Sequence, residues 1–287
     1  MCLKMPSSSN LRATCTGLKP MTMPRAILCI DIDGTLIDSD ERVHPQDVHT
    51  LKLFPEEILP LLTTGRILHS AKGVLRENGL FQSDPFPLPG VFQNGGVTYR
   101  PDETLCASHA FRPKTRKAVV DLSKSFSQSA FTFFAIDTVY LVNPTEFGRH
   151  IAQLHHLSAR VINADDLPAE IIKVMILEPE PLEMQKIQDQ SQSLEAEMAI
   201  SLPFAYEINP PGINKAASLQ DLLKTMQLDH LPIYAVGDAE NDLALFKLAR
   251  TSFAPTTAYP KVIDVADHLI PREKEGLLTP LLQYLSI

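Results

Sequence analysis

Three short apolar segments that lie far apart in the chain each lead directly into a polar residue. AILCI leads into Asp31, PLLT into Thr64 and IYAVG into Asp238. Segments with helical spacing separate them, and this alternation is typical of a parallel α/β sheet. Ligands of open α/β sheets bind at the carboxyl ends of the strands, which share one edge. The sequence therefore predicts a doubly wound parallel, Rossmann-like sheet that gathers these polar residues at one edge.

The middle of the chain has a different pattern. Between residues 109 and 205, helical segments alternate with aromatic or apolar stretches such as AFTFFAIDTVYLVN and AEIIKVMILEP, which read as strands. The segment PLEMQKIQDQSQSLEAEM reads as one polar amphipathic helix. We expect this part to be an inserted α/β cap domain, and residues 24–108 and 206–287 to form the core domain. Pro60 cannot donate to a strand ladder, so the second core strand is expected to begin just after it.

Charge and cysteine content exclude several classes of protein. The net charge is −8 and no basic run occurs, which argues against nucleic-acid binding. No run of about 18 apolar residues is present, so no membrane span is expected. None of the four cysteines forms a CxxC pair, which fits reduced thiols in a cytoplasmic protein. The first 23 residues contain no acid, and we expect a disordered extension there; a targeting segment or a later translation start are the alternatives.

Four carboxylates are expected at the predicted sheet edge: Asp31, Asp33, Asp238 and Asp242. Each acid alone has a structural explanation, as part of a turn or as a helix cap. Together, however, they would repel one another strongly without a counter-charge. Oxygen ligands at such an edge suit Mg²⁺, which binds carboxylates, water and phosphate oxygens. Their joint placement therefore favours a magnesium site.

Four segments resemble the motifs of the haloacid dehalogenase-like hydrolases. They are DIDGT at 31–35, LLTTGR at 61–66, Lys215 in GINKAASL, and GDAENDL at 237–243. The large insert and QNGG at 93–96 resemble the Cof-type branch of that family. One departure is Asn214, where glycine or serine usually precedes the lysine. The resemblance covers residues 24–287 and implies a phosphate-transferring core with an α/β cap.

The resemblance also implies roles for individual residues. Asp31 would be the nucleophile that forms an aspartyl-phosphate, and Asp33 would move protons to the leaving alcohol and from water. Mg²⁺ would be held by Asp31, the Asp33 carbonyl, Asp238 and, through water, Asp242. Phosphate oxygens would be bound by the following residues: Ile32, Thr64, Gly65, Lys215 and Asn241.

Three further positions have open interpretations. Arg66 either supports the site or bridges to an acid of the fourth motif. Asn94 either supports the site or only shapes the turn before the cap. The pair His155-His156 has no acidic partner at ligand spacing, so it is expected to be solvated or packed.

The predicted function is that of a Mg²⁺-dependent phosphatase. Its expected substrates are small phosphorylated metabolites, with sugar phosphates as the leading class, and the expected assembly is a monomer or homodimer. A phosphohexomutase of the phosphomannomutase type is one alternative, because its architecture is similar. A non-catalytic metabolite-binding module on the same fold is another, although both Asp31 and Asp33 are present.

Overall fold

The computed structural model describes residues 23–155 and 157–285, which form two β-sheets flanked by helices. The predicted extension at 1–23 lies outside these residues, apart from Met23. The strands are β1 Ala26–Ile30, β2 Ile58–Thr63, β3 Gly90–Phe92, β4 Val97–Tyr99, β5 Leu105–Ser108, β6 Ala130–Phe134, β7 Val139–Val142, β8 Arg160–Val161, β9 Lys173–Leu177, β10 Glu197–Leu202, β11 Ala205–Asn209, β12 Ile233–Val236, β13 Thr251–Pro255 and β14 His268–Ile270. The helices are α1 Pro45–Lys52, α2 Leu68–Glu77, α3 Pro113–Ser125, α4 Glu146–Leu154, α5 Pro181–Ser191, α6 Lys215–Met226, α7 Leu243–Leu248, α8 Pro260–Ile263, α9 Arg272–Glu275 and α10 Leu278–Leu285.

The first sheet has eight strands in the order β14-β13-β12-β1-β2-β3-β4-β5. Neighbours are parallel from β14 to β3, and β4 and β5 add an antiparallel edge. Side chains of β1 alternate between the faces, so Leu28 packs with α1, α2 and α10, and Cys29 packs with α6, α7 and α8. The predicted doubly wound parallel core is therefore confirmed.

The second sheet has six strands in the order β10-β11-β9-β6-β7-β8, and its neighbours are antiparallel except β7 and β8. Helices α3 and α5 cover one face, and α4 packs on part of the other. Strand β11 belongs to this sheet and ends at Asn209, beyond the expected boundary at residue 205. The division into core and cap domains stays a prediction.

Three details differ from the expected elements. Strand β2 includes Pro60, which is tolerated because β3 joins β2 only from Leu62 onward, so one side of β2 has no strand neighbour at the proline. The stretch AFTFFAIDTVYLVN is a hairpin, β6 and β7, because the chain turns where the Ala135 N–H donates to Thr138 O at 2.8 Å. The helix expected up to residue 198 ends at Ser191, and β10 follows.

A short 3₁₀ turn, Gln93–Gly95, joins β3 to β4, as the Asn-Gly pattern predicts. The Gly96 carbonyl accepts the His109 N–H at 2.9 Å, where the chain leaves the first sheet. The Gln93 carbonyl accepts from Asn209 Nδ2 at 2.8 Å, where the chain returns to it. The turn and Gly96, the residue that follows it, therefore contact both connections between the two sheets.

Within the two described ranges, every helix is too short or too polar to cross a lipid bilayer.

Candidate active site

Three carboxylates meet at the carboxyl ends of β1 and β12. Asp31 directly follows β1, Asp238 lies two residues after β12, and Asp242 ends the 3₁₀ turn that follows. One carboxylate oxygen from each lies within 4.8 Å of the others, and all three residues are buried. The structure thus brings these acids together at the edge of the sheet where the sequence places them.

Two glycines allow this close approach. Gly34 has a φ of +72°, and a Cβ atom at this position would lie 2.2 Å from Asp238 Oδ2. A Cβ atom at Gly237 would lie 2.3 Å from Asp242 Cγ. Hydrogen bonds then fix the acids: Thr35 Oγ1 donates to Asp238 Oδ1 at 3.1 Å, and Asp242 Oδ2 accepts the Asp238 N–H at 3.1 Å.

Lys215 is the cation in contact with this cluster. It is the first residue of α6, and its Nζ donates at 2.7 Å to Asp31 Oδ1 and at 2.7 Å to Asp242 Oδ1. Burial alone would lower the pKa of Lys215, but Asp242 and Asp31 outweigh burial and hold the pKa above its usual range. Asn214 has a clear local role, because its Oδ1 accepts the Ala217 N–H at 3.0 Å and so caps α6.

The cluster carries more negative charge than Lys215 can offset. Burial, reinforced by Asp242 and Asp238, raises the pKa of Asp31 well above its usual range, although Lys215 opposes this. Burial and then Asp242 raise the pKa of Asp238 to about 7. When all three carboxylates are ionised, they outnumber the one ammonium and form a net negative site of oxygen donors. Such a donor set fits a divalent cation of the Mg²⁺ class.

The Asp33 carboxylate pairs with Arg66 rather than with Lys215. Arg66 Nε donates to both of its carboxylate oxygens at 3.0 Å, and Arg66 Nη1 donates to Ser70 Oγ at 3.2 Å. Burial alone would raise the pKa of Asp33, but the Arg66 guanidinium keeps it below its usual range. Arg66 also pairs with Glu41, which is outside the four motifs. Of the two interpretations of Arg66, the bridge to an acid of the fourth motif is therefore wrong, because its acidic partners are Asp33 of the first motif and Glu41.

His155, the residue that follows α4 on the second sheet, contacts the same group of side chains around Arg66. His155 Nδ1 lies 4.0 Å from Asp33 Oδ1 and 3.7 Å from Glu41 Oε1, and the His155 carbonyl accepts from Ser70 Oγ at 2.7 Å. His155 was expected to be solvated or packed, and it is packed, 21% exposed, against acids that come from distant segments of the chain. His156 lies outside the described residues. Asp33, Glu41 and His155 have the spacing of a metal site, but Arg66 already supplies the cation among them.

A buried ion pair connects the second sheet to the motif after β2. Lys173 Nζ donates to Glu207 Oε1 at 2.7 Å and to the Gly65 carbonyl at 2.7 Å. Asn94 Nδ2 donates to the other Glu207 oxygen, and Asn94 Oδ1 accepts from Asn241 Nδ2 at 3.2 Å. The Asn94 side chain thus contacts both strand β11 of the second sheet and the 3₁₀ turn that follows β12, in addition to shaping its own turn with a φ of 57°.

The remaining predicted residues surround Asp31. Thr64 is buried, and its Oγ1 accepts the Arg66 N–H at 3.0 Å. Ile32 is buried, and its carbonyl accepts the Ile37 N–H at 2.9 Å. Gly65 and Asn241 line a cleft together with Asp31, Asp33 and Asp238. The opposite wall of this cleft is formed by the second sheet.

Four polar residues of this site were not expected from the sequence: Glu41, His155, Lys173 and Glu207. The sequence itself contains a signal for two of these four residues. Lys173 interrupts the apolar run IIKVMIL, and Glu207 lies inside the short strand AYEIN, so each places a charge where a strand is buried. Buried charges of this kind require a partner and often mark functional sites.

The doubly wound sheet and the carboxylate cluster at its strand ends define an enzyme of the α/β class. Residues 28–279 match the model of the haloacid dehalogenase-like hydrolase family. The chain belongs to this family, and the resemblance inferred from its motifs is confirmed.

Known proteins of similar length resemble the chain along most of its sequence. An uncharacterized hydrolase of Schizosaccharomyces pombe is 27% identical, over 84% of this chain and 83% of the relative. The 5-amino-6-(5-phospho-D-ribitylamino)uracil phosphatase YitU of Bacillus subtilis is 23% identical, over 91% of this chain and 98% of the relative. A solved sugar phosphatase of subclass IIB superposes with a TM-score of 0.76 at 16% identity, over 91% of this chain and 100% of that chain. At that identity the superposition demonstrates a shared fold.

Proposed function

We propose that the protein is a Mg²⁺-dependent phosphatase that hydrolyses small phosphorylated metabolites through an aspartyl-phosphate on Asp31. The observation that carries the proposal is the buried cluster of Asp31, Asp238 and Asp242 held by Lys215 at the sheet edge. The hydrolase family and the phosphatase names of relatives support a phosphatase activity. Phosphorylated sugars are the first class to test, since a structural neighbour is described as a sugar phosphatase.

Asp31 is the nucleophile in this proposal. Lys215 holds Asp31 Oδ1 at 2.7 Å, so Oδ2 attacks phosphorus while the bond from phosphorus to the ester oxygen breaks. Lys215 also offsets the negative charge that the phosphoryl group brings to the cluster. Further phosphate oxygens would be bound by the residues that the resemblance implies: Thr64, the N–H groups of Gly65 and Ile32, and Asn241.

Asp33 handles the protons. In its protonated form it gives a proton to the departing alkoxide, and as a carboxylate it then takes a proton from the water that attacks the aspartyl-phosphate. Arg66 favours the carboxylate form, which suits the second step. For the first step Asp33 must move from Arg66 toward the leaving oxygen.

Mg²⁺ would be held by Asp31, Asp238, Asp242 and the Asp33 carbonyl. When bound, the ion would neutralise the carboxylates and the phosphoryl oxygens and so favour attack.

The test is release of phosphate from a panel of phosphate esters with Mg²⁺. Asp31→Asn should leave less than about a thousandth of the activity, because loss of a nucleophile costs several orders of magnitude. Asp40→Asn, an exposed acid nearby, is the matched control and should remain active. EDTA should abolish turnover and Mg²⁺ should restore it. Ca²⁺ should support it poorly, because Ca²⁺ prefers more ligands at longer distances. An active Asp31→Asn variant would contradict the proposal.

A further inference from the structure

One face of the second sheet changes from charged to apolar along the cleft. On β9, Lys173, Met175 and Leu177 point to this face in turn, because side chains alternate along a strand. On the neighbouring β11, Glu207 is opposite Met175, and Ala205 is opposite Leu177. The charged end contacts the carbonyl of Gly65, which lines the cleft together with Asp31. Leu177 lies four residues further along, which corresponds to about 13 Å.

The charged end is already engaged in contacts within the protein. Lys173 donates to Gly65 and Glu207, and its Nζ lies 4.6 Å from the centre of the Phe134 ring. Glu207 also accepts from Asn94. These contacts hold the second sheet against the loop that would bind phosphate, so a substrate bound at Asp31 would extend past Lys173 along the sheet.

Carbon atoms dominate the surface beyond that point. We call this surface the apolar wall and define it by Phe134, Met175, Leu177, Leu202 and Ala205, which all line the cleft. These residues belong to one hydrophobic cluster that packs with α4. Ser201 adds one hydroxyl to the lining.

A sugar with hydroxyls on every carbon would be a poor match for this surface. Each hydroxyl that leaves water without a new partner loses a hydrogen bond, and this penalty exceeds the small gain from burying the carbon that carries it. An alkyl chain or an apolar ring at the same place would gain from leaving water and would lose no hydrogen bond.

We propose that the apolar wall is the leaving-group subsite, and that it selects phosphate esters of primary alcohols with an apolar chain or ring beyond the first carbons. The inference rests on the proposed phosphatase function and narrows its substrate class. Among phosphorylated sugars it favours those with an apolar substituent over free hexose phosphates. Met175 and Leu202 are the specificity-determining residues, since they border the cleft on different strands.

The test compares two esters of the same shape. Cyclohexylmethyl phosphate and glucose 6-phosphate each carry the phosphate on a CH₂ group attached to a six-membered ring, and ethyl phosphate is the reference without a ring. For the wild-type protein, kcat/KM for cyclohexylmethyl phosphate should exceed that for glucose 6-phosphate at least about tenfold, the discrimination expected of an apolar pocket. Equal values, or a preference for glucose 6-phosphate, would overturn the proposal.

Variants then assign the preference to the wall. Met175→Gln keeps the length of the side chain but adds an amide, and it should reduce the preference about tenfold. The kcat/KM for ethyl phosphate should stay within about twofold, because ethyl phosphate does not reach the wall. Met184→Gln is the matched control, because Met184 is equally buried in the same domain but packs on the opposite face of the sheet. Leu202→Gln, at a half-buried position, gives a second variant if Met175→Gln fails to fold. An unchanged preference in the folded variants would refute the assignment.

Binding separates failure of the subsite from failure of the phosphatase. Cyclohexylmethylphosphonate has no ester bond, and calorimetry should show that it binds about tenfold more tightly than methylphosphonate. Equal binding would refute the subsite, whatever the enzyme hydrolyses. Tighter binding without phosphate release from any ester would support the subsite and refute the proposed phosphatase.

Discussion

Replacing Lys173 by methionine should destabilise the protein strongly, because it leaves the Glu207 carboxylate buried without its cation. The two side chains are 2% and 4% exposed, and their charged atoms are 2.7 Å apart. At an effective dielectric constant of 20, charges at that distance attract by about 6 kcal/mol. Burial of each ion costs several kcal/mol, which nearly cancels this attraction, so the intact pair contributes little net stability. Removal of either charge, however, leaves the other buried without compensation.

A double-mutant cycle measures this dependence. Lys173→Met should lower the free energy of unfolding by about 3–5 kcal/mol, the usual cost of breaking a buried pair from one side. Glu207→Gln should cost about 2 kcal/mol, because the amide oxygen still accepts from Lys173 but the amide nitrogen cannot accept from Asn94. The double variant removes both charges and should cost less than the sum, with a coupling energy of about 2–3 kcal/mol.

Urea unfolding followed by circular dichroism gives the four free energies. The matched control is the pair Lys186 and Glu183 on α5, which has the same 2.7 Å separation but side chains that are 67% and 36% exposed. Its coupling energy should be below about 0.5 kcal/mol. Similar coupling in the two pairs, or additive effects at Lys173 and Glu207, would refute the argument that burial makes the charges interdependent.

Three other predictions concern the catalytic edge. Arg66→Met should raise the pKa of Asp33, so the limb of the pH–rate profile that reports Asp33 should move to higher pH. Arg66→Lys keeps a cation and should shift this limb less. An unmoved limb in Arg66→Met would contradict the proposed role of the guanidinium. Burial raises the pKa of Asp238 to about 7 in the folded protein. Between about pH 4 and 7 the folded state therefore still binds a proton that the unfolded chain has released, and the metal-free protein should lose stability as the pH rises through this range. Mg²⁺ binds the carboxylate form, so the gain in Tm on adding Mg²⁺ should be larger at pH 8 than at pH 6, and equal gains would count against metal binding at Asp238.

Strand ends in the sequence were sufficient to predict the convergence of Asp31, Asp238 and Asp242, whereas Lys215 was placed with them only by the resemblance of its segment to a family motif. The reason is topological, because β1 and β12 are parallel and the segments that carry these acids follow them at one edge of the sheet. The apolar runs likewise predicted the core strands, since complete burial on both faces leaves a continuous hydrophobic signature.

The contacts made by the second sheet could not be predicted in the same way. Lys173 meets Glu207 after 34 residues and Gly65 after 108, and His155 meets Arg66 after 89. No local spacing encodes these distances along the chain. The extra strand β10 was missed because its first two residues, Glu197 and Met198, were assigned to the preceding helix, and the four residues that remain are too few to signal a strand.

The Gln93–Gly95 turn and the adjacent Gly96, which together contact both connections between the sheets, determine how the second sheet can move. A body attached at one edge swings about that edge, and each point moves in proportion to its distance from the pivot. Asn209 is hydrogen-bonded to the turn and would hardly move, whereas Leu177 and Leu202, farther along the sheet, would move most. Rotation of the second sheet about this turn would therefore widen the mouth of the cleft. Asp31 and Lys215 both lie on the first sheet's side of the turn, so they would keep their 2.7 Å contact.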